Sequence, residues 1–389
     1  MKSIRLLATT VLCACLAMSC MQPRKADYIA PVNPDSSERT VNLYHFLQDI
    51  QGEYILSGQH NFAGKGSAYS DRLEAVSGVK AIVWGSDFSF CVEGSDAMRY
   101  QHCGPANLPA FDTGLTREER KSREPEFLDI TLEEARDMTI REIKKKHAEG
   151  HIITLMWHGC FPTDGDCCEG SSIWAMEDRP TREEWDALVT DGTVLNGAWK
   201  EGADKIAGYL KQLRDADIPV LWRPYHEMNG VWFWWCNHKG EQGFKRLWIM
   251  MYDYFTNHHH LNNLLWVWNT NAPRDIPGDE ARDYADFFPG LEYVDILAAD
   301  VYRNDYKQSH HDQLDSLSGG KPIALGEVGD IPSLGILEEQ PGWCWFMPWG
   351  WILFYSNDAE QIRALYQSER VLTMDEIAVD SSGAYTLIP

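Results

Sequence analysis

Eight short apolar runs recur along this chain, each separated from the next by a longer polar or amphipathic stretch. They are YILSG (54–58), AIVWG (81–85), IITLMWH (152–158), PVLWRP (219–224), LLWVWN (264–269), DILAAD (295–300), PIALGE (322–327) and CWFMPW (344–349). The runs are rich in β-branched and aromatic residues and nearly continuous in apolar character, the pattern of strands covered on both faces in a parallel sheet. Helix signals lie between them. Thr131 and Glu134 form a predicted capping box ahead of Ala135, Thr139 and Ile143, and Gly150 closes that stretch. Thr181 and Glu184 open a second predicted helical stretch that reaches Pro219.

Eight such units spread over roughly 350 residues fit a closed (β/α)8 TIM barrel with enlarged loops better than an open doubly wound sheet. No Gly-rich phosphate fingerprint follows the first strand, which argues against nucleotide binding. Without a solenoid or propeller period or a second composition block, residues 41–389 read as a single catalytic domain.

The first twenty residues, MKSIRLLATTVLCACLAMSC, combine Lys2 and Arg5 with an apolar run and small residues before Cys20. This predicts a signal peptide, too short for a permanent span. It resembles a bacterial lipoprotein signal, in which Cys20 is lipidated after cleavage; ordinary secretion is the alternative. Residues 21–40 are polar and proline-bearing and read as a tether. The expected location is the bacterial cell envelope, lipid-anchored at the outer membrane or cell surface, or else periplasmic or secreted. A formal net charge of −23 disfavours nucleic acid as a partner and leaves the anchor as the expected membrane contact. Seven cysteines lie beyond Cys20, an odd number with no zinc spacing, so disulfides do not define the fold and no metal site is expected.

Functional residues of such barrels stand at the C-terminal ends of the strands. Here those ends carry Trp157 and His158, then Arg223, Tyr225, His226 and Glu227, then Asp300 and Tyr302, then Glu327, and finally Trp349. A lone glutamate at a strand end is ordinarily a loop or salt-bridge residue. Two of them, after strands four and seven and among tryptophans, point to glycoside hydrolysis, in which one carboxyl protonates the leaving oxygen and the other attacks or activates water. Trp232, Trp234 and Trp235 follow Glu227 closely enough to line the same cleft and stack on sugar rings. His258–His260 precede strand five and read as a solvated helix end on the opposite barrel face, whereas SHHD at 309–312 follows strand six and could reach the rim.

RPYHEMNGVWFWW together with LGEVG resembles glycoside hydrolase family 26, chiefly β-mannanases on (β/α)8 barrels, from about residue 41 to the end. The resemblance implies Glu227 as acid/base and Glu327 as nucleophile of a retaining mechanism without cofactor. It also implies His158, His226, Trp232, Asp300, Tyr302 and Trp349 as substrate-binding residues, with Tyr302 touching the nucleophile and Trp349 as platform under the reacting sugar. The expected substrate is mannan, galactomannan or manno-oligosaccharide, cut internally or from a chain end with release of mannobiose. Alternatives are β-1,3-xylan or mixed-linkage β-glucan on the same fold, a surface glycan-binding lipoprotein without catalysis, and a metal-dependent barrel hydrolase. One departure is Gly350, where some members of the family carry Arg directly after the strand-eight Trp.

Overall fold

A computed structural model describes residues 28–89, 131–166, 168, 172–174 and 180–388. The predicted signal peptide, Cys20, the first part of the tether and most of the insertion after the second strand lie outside the described residues.

Eight parallel strands form the sheet: β1 (Ile55–His60), β2 (Val83–Asp87), β3 (Ile152–Trp157), β4 (Val220–Pro224), β5 (Leu264–Asn271), β6 (Ile296–Val301), β7 (Ile323–Val328) and β8 (Trp343–Pro348). Each pairs with the next, and β1 pairs with both β2 and β8, so the sheet closes into a barrel. A two-residue strand, β9 (Val371–Leu372), adds outside β1. All eight predicted runs are strands, shifted by up to two residues at their ends.

The strands are buried on both faces, and alternate residues sort into two apolar clusters. Val83, Ile152, Leu221, Leu265, Val267, Ala298 and Ala324 share one cluster with Leu43, Tyr44, Phe46 and Leu47 of helix α1 (Glu38–Ile50). Their neighbours Trp84, Ile153, Trp222, Trp266, Trp268 and Leu297 belong to the other, between strands and outer helices. This two-residue alternation orients one side chain in two toward the barrel axis. The same parity carried upward sends Asp87, His158, Arg223, Asn269, Asn271 and Asp300 into the barrel mouth.

Thr131 and Glu134 form the expected capping box on a helix spanning Leu132–Ala148. The stretch after Thr181 divides into two helices, Arg182–Leu188 and Val194–Arg214, because Gly192 turns the chain at φ +80° and Thr193 caps the second. The expected tether is corrected over residues 28–40. Tyr28 stacks on His45, the Val32 N–H donates to Asp295 at 2.7 Å, and Ser37 caps α1, so this segment is docked on the barrel.

Candidate active site

Glu327 reaches the barrel mouth through an irregularity. Between β6 and β7 the register runs Ala299 to Leu325 and then Asp300 to Glu327, so Gly326 is a bulged extra residue. Bulges re-aim the next side chain, and this one turns Glu327 inward. A Cβ on Gly326 would lie 1.9 Å from Asn269 Oδ1, so the bulge needs a residue with no side chain.

Glu227 is presented by a tight turn after β4. Tyr225 and Glu227 both take left-handed conformations, at φ +47° and +55°, which non-glycine residues rarely adopt without compensation. The compensation is visible: Glu227 donates its N–H to Asn269 O at 2.7 Å, and its carbonyl accepts from Gly230 N–H at 2.8 Å. Asn229, fully buried, ties this turn to the end of β5 by accepting from Asn271 N–H and donating to the Asn271 carbonyl, both at 2.8 Å.

The two glutamates face each other. Ligand atoms of His226, Glu227, Asp300 and Glu327 all lie within 4.8 Å of one another, which brings the carboxylates within that distance. A separation near 5 Å suits direct attack by one of them, whereas inverting enzymes leave about 6.5–9.5 Å for water. His226 Nε2 sits between, 3.5 Å from Glu327 Oε1 and 4.0 Å from Glu227 Oε2.

The surroundings of the two carboxyls differ in kind. Trp232 Nε1 donates to Glu227 Oε2 at 2.7 Å, and Asn271 Nδ2 donates to Oε1. Glu327 accepts from Tyr302 O–H at 2.8 Å and has the buried Arg223 guanidinium 3.6 Å away. Burial raises both carboxyls above the ordinary range; the Arg223 cation opposes this at Glu327, while the proximity of Glu227 adds to it. Arg223 and the Tyr302 hydroxyl favour the ionised form of Glu327 against a burial that lifts it to about 8, whereas at Glu227 burial is opposed by the Asn271 and Trp232 donors and by the Arg274 cation.

A cleft of about 690 Å³ opens over this pair, lined by the aromatic rings of Trp174, Trp232, Phe233, Trp349, Trp351 and Tyr355. Trp349 stacks on the buried His60 ring at 3.9 Å and 18°, which fixes its plane. His158, also on the cleft, is oriented by the fully buried Asp87 through its Nδ1 and packs edge-on against His226 at 4.5 Å.

Seven of the eight residues named from the sequence thus line one cleft: Glu227, Glu327, His158, His226, Trp232, Tyr302 and Trp349. Asp300 is corrected. It has no exposed surface and accepts from Asn269 Nδ2 at 2.7 Å beneath the glutamates, so it shapes their field and is out of reach of a sugar. Trp234 and Trp235 are likewise removed from the cleft: both are buried, and their indole N–H groups hold the Gly159 and His226 carbonyls. The SHHD segment does not reach the cleft either. It lies in a helix, Gln308–Ser318, where His311 accepts from Gly342 N–H and packs on Trp343. At the other end of the barrel Asp204, His258 and His259 cluster, but both ring nitrogens of His259 are engaged, by Asp204 and by Lys211.

Sequence reasoning missed Asp87, Asn269, Asn271 and Arg274, and took Arg223 only as a strand end. For the first three the signal was parity: each continues the inward-facing positions of its strand. Cys160 and Cys168 form a disulfide at the base of the Trp174 loop.

A parallel barrel whose fourth and seventh strands deliver opposed, buried carboxyls into an aromatic cleft defines the glycoside hydrolase class. The chain belongs to glycosyl hydrolase family 26, whose sequence model matches residues 129–376. Among solved structures, GH26A from Muricauda sp. MAR_2010_75 is 39% identical, with a TM-score of 0.76, over 89% of this chain and 99% of that one. A β-mannanase from a symbiotic protist of the termite Reticulitermes speratus, complexed with gluco-manno-oligosaccharide, is 28% identical with a TM-score of 0.66, over 90% and 98% of the two chains. The mannan endo-1,4-beta-mannosidase of Thermothelomyces thermophilus is 31% identical over 89% of this chain. The chain spans 62% of the length of that relative and 50% of a Piromyces sp. one.

Proposed function

We propose that this chain is a retaining β-1,4-mannan hydrolase held at a bacterial envelope by a lipid on Cys20. The observation that carries the catalytic reading is the approach of the buried Glu227 and Glu327 to within 4.8 Å, with the Arg223 cation beside Glu327. Glu327 attacks the anomeric carbon, Tyr302 orienting the attacking carboxylate, while Glu227 passes its proton to the departing oxygen. In the second step Glu227, now ionised, takes a proton from water as that water displaces Glu327 and restores the β-anomer. Trp349 supports the reacting sugar from below, and His158 and His226 hydrogen-bond its hydroxyls. The residues need no cofactor for these steps.

Mannan is the preferred polymer because the Thermothelomyces thermophilus relative and the termite-protist structure carry that activity in their names. The anchor reading rests on the apolar run that ends in small residues at Cys20. The test is hydrolysis of mannan, β-1,3-xylan and lichenan with the first-formed anomer followed by NMR. Release of β-configured manno-oligosaccharides is expected; cleavage of another polymer with mannan untouched would overturn the substrate, and an α-anomer the mechanism. Glu327→Ala should fold and lose turnover, and Cys20→Ala should lose incorporation of labelled fatty acid.

A further inference from the structure

We infer that Arg274 is a positioning residue for the acid/base, because one guanidinium fixes both neutral donors that hold the Glu227 carboxyl; this rests on the catalytic reading proposed above. Arg274 Nη1 donates to Asn271 Oδ1, and its Cζ lies 5.1 Å from the centre of the Trp232 ring. Asn271 and Trp232 are in turn the groups that donate to Glu227 Oε1 and Oε2.

The guanidinium is itself clamped. Its Nη2 donates to Asp279 Oδ1 at 2.7 Å and its Nε to the Asp279 carbonyl at 2.9 Å, and Arg303 donates to the same carboxylate. Arg274 and Ala281 exchange backbone hydrogen bonds at 3.0 and 2.9 Å, closing residues 274–281 into a short hairpin at the cleft edge. Arg274 is half-buried, whereas Arg303 is exposed.

The consequence lies in the amide of Asn271. A primary amide presents an acceptor at one end and two donors at the other. With Arg274 donating to Oδ1, rotation of the amide would set its NH2 against the guanidinium, donor against donor. Arg274 thus forces Asn271 to donate to Glu227. A carboxyl with an N–H donor at each oxygen finds no acceptor among them, so its own proton points to the cleft, where the leaving oxygen will stand. Were Asn271 reversed, its Oδ1 would accept that proton and draw it away from the substrate.

The experiment compares wild type with Arg274→Gln on two aryl β-mannobiosides, one with a phenol leaving group and one with 2,4-dinitrophenol. The second departs without protonation, and kcat/KM for each reports the step in which the glycosidic bond breaks. Arg274→Gln is expected to lose about 10–100-fold on the phenyl substrate, within the range of general acid catalysis, and to stay within about threefold on the dinitrophenyl one. The alkaline limb of the phenyl pH profile should move upward, since the variant loses a cation that lowers Glu227 and frees an amide acceptor for its protonated form. An equal loss on both substrates with the alkaline limb unmoved overturns the inference. If Arg274→Gln does not fold, Asp279→Asn, which loosens the same clamp from outside, decides by the same ratio with a smaller factor. Wild type inert on both mannobiosides would instead sink the proposed function, so the two failures are distinguishable.

Discussion

Arg223 and Glu327 stand 3.6 Å apart with side chains only 1% and 4% exposed, so the proposed nucleophile is paired with a cation that water barely reaches. The proposed mechanism requires Glu327 ionised and Glu227 protonated. A fall in pH protonates Glu327 and a rise strips Glu227, giving a bell whose two limbs belong to the coupled pair. Arg223 holds Glu327 down against its burial. Arg223→Met should therefore move the acidic limb to higher pH by about a unit and so lower kcat/KM about tenfold below it, at a folding cost of roughly 3–5 kcal/mol for a broken buried pair. Profiles of kcat/KM against pH check this; an acidic limb left in place would separate Arg223 from the nucleophile.

Asp300 is held far above the ordinary carboxylate range, first by burial and then by the charges of Glu327 and Glu227. A group whose pKa is raised on folding stabilises the fold at low pH, below its unfolded value near 3.8, and that contribution is lost as pH rises toward its folded value. Asp300→Asn removes the loss and keeps an oxygen that can accept from Asn269. The variant should melt a few degrees higher than wild type at pH 7–8, with the gap closing toward pH 4. Melting curves across that range decide, and a gap that widens toward acid would reverse the sign.

Strand positions were legible because each apolar run is long enough to be buried and short enough to exclude a buried helix. The glutamates were legible because two distinctive motifs put them after strands four and seven. Asp87 was lost through a boundary: the second run was read to Gly85, and the strand runs on to Asp87. Asn269 closes the fifth run and Asn271 lies two residues beyond it, and only their odd-numbered spacing with Val267 marks them as inward. Asp300 was misjudged because linear sequence says which way a side chain points, not how deep in the barrel it stops. Arg274 lies in a loop whose conformation no periodicity encodes.

Gly326 is where periodicity breaks and function begins. Even-numbered positions of β7 face inward up to Ala324, and strict alternation would have turned Glu327 outward. Gly326→Ala would press a methyl into Asn269 Oδ1, the atom that accepts from Arg223 Nη1 at 2.5 Å. Either the bulge relaxes and Glu327 swings away, or Asn269 moves and releases Arg223. In both cases kcat is expected to fall by about 100-fold or more, as for a misplaced reacting group. KM should change far less, because the Trp349 and Trp232 walls remain. Steady-state kinetics on a manno-oligosaccharide measure the split; a KM-dominated loss would show that the bulge serves binding.

Gly350 follows the Trp349 platform and has its own steric reason. Its φ is +45°, and an added Cβ would lie 2.6 Å from Phe62 Cζ, a ring that packs edge-on against both Trp349 and His60. The arginine some relatives carry here is therefore incompatible with this chain's own packing. Gly350→Arg meets two penalties, about 1–2 kcal/mol for the left-handed backbone and the displacement of Phe62, and the second tilts the platform. The variant should melt several degrees lower and raise KM for manno-oligosaccharides. Gly350→Arg combined with Phe62→Ala removes the clash but not the backbone strain, so it should recover part of the KM and little of the melting temperature. Full recovery of both would mean that Phe62 alone, and not the backbone, selects glycine at this position.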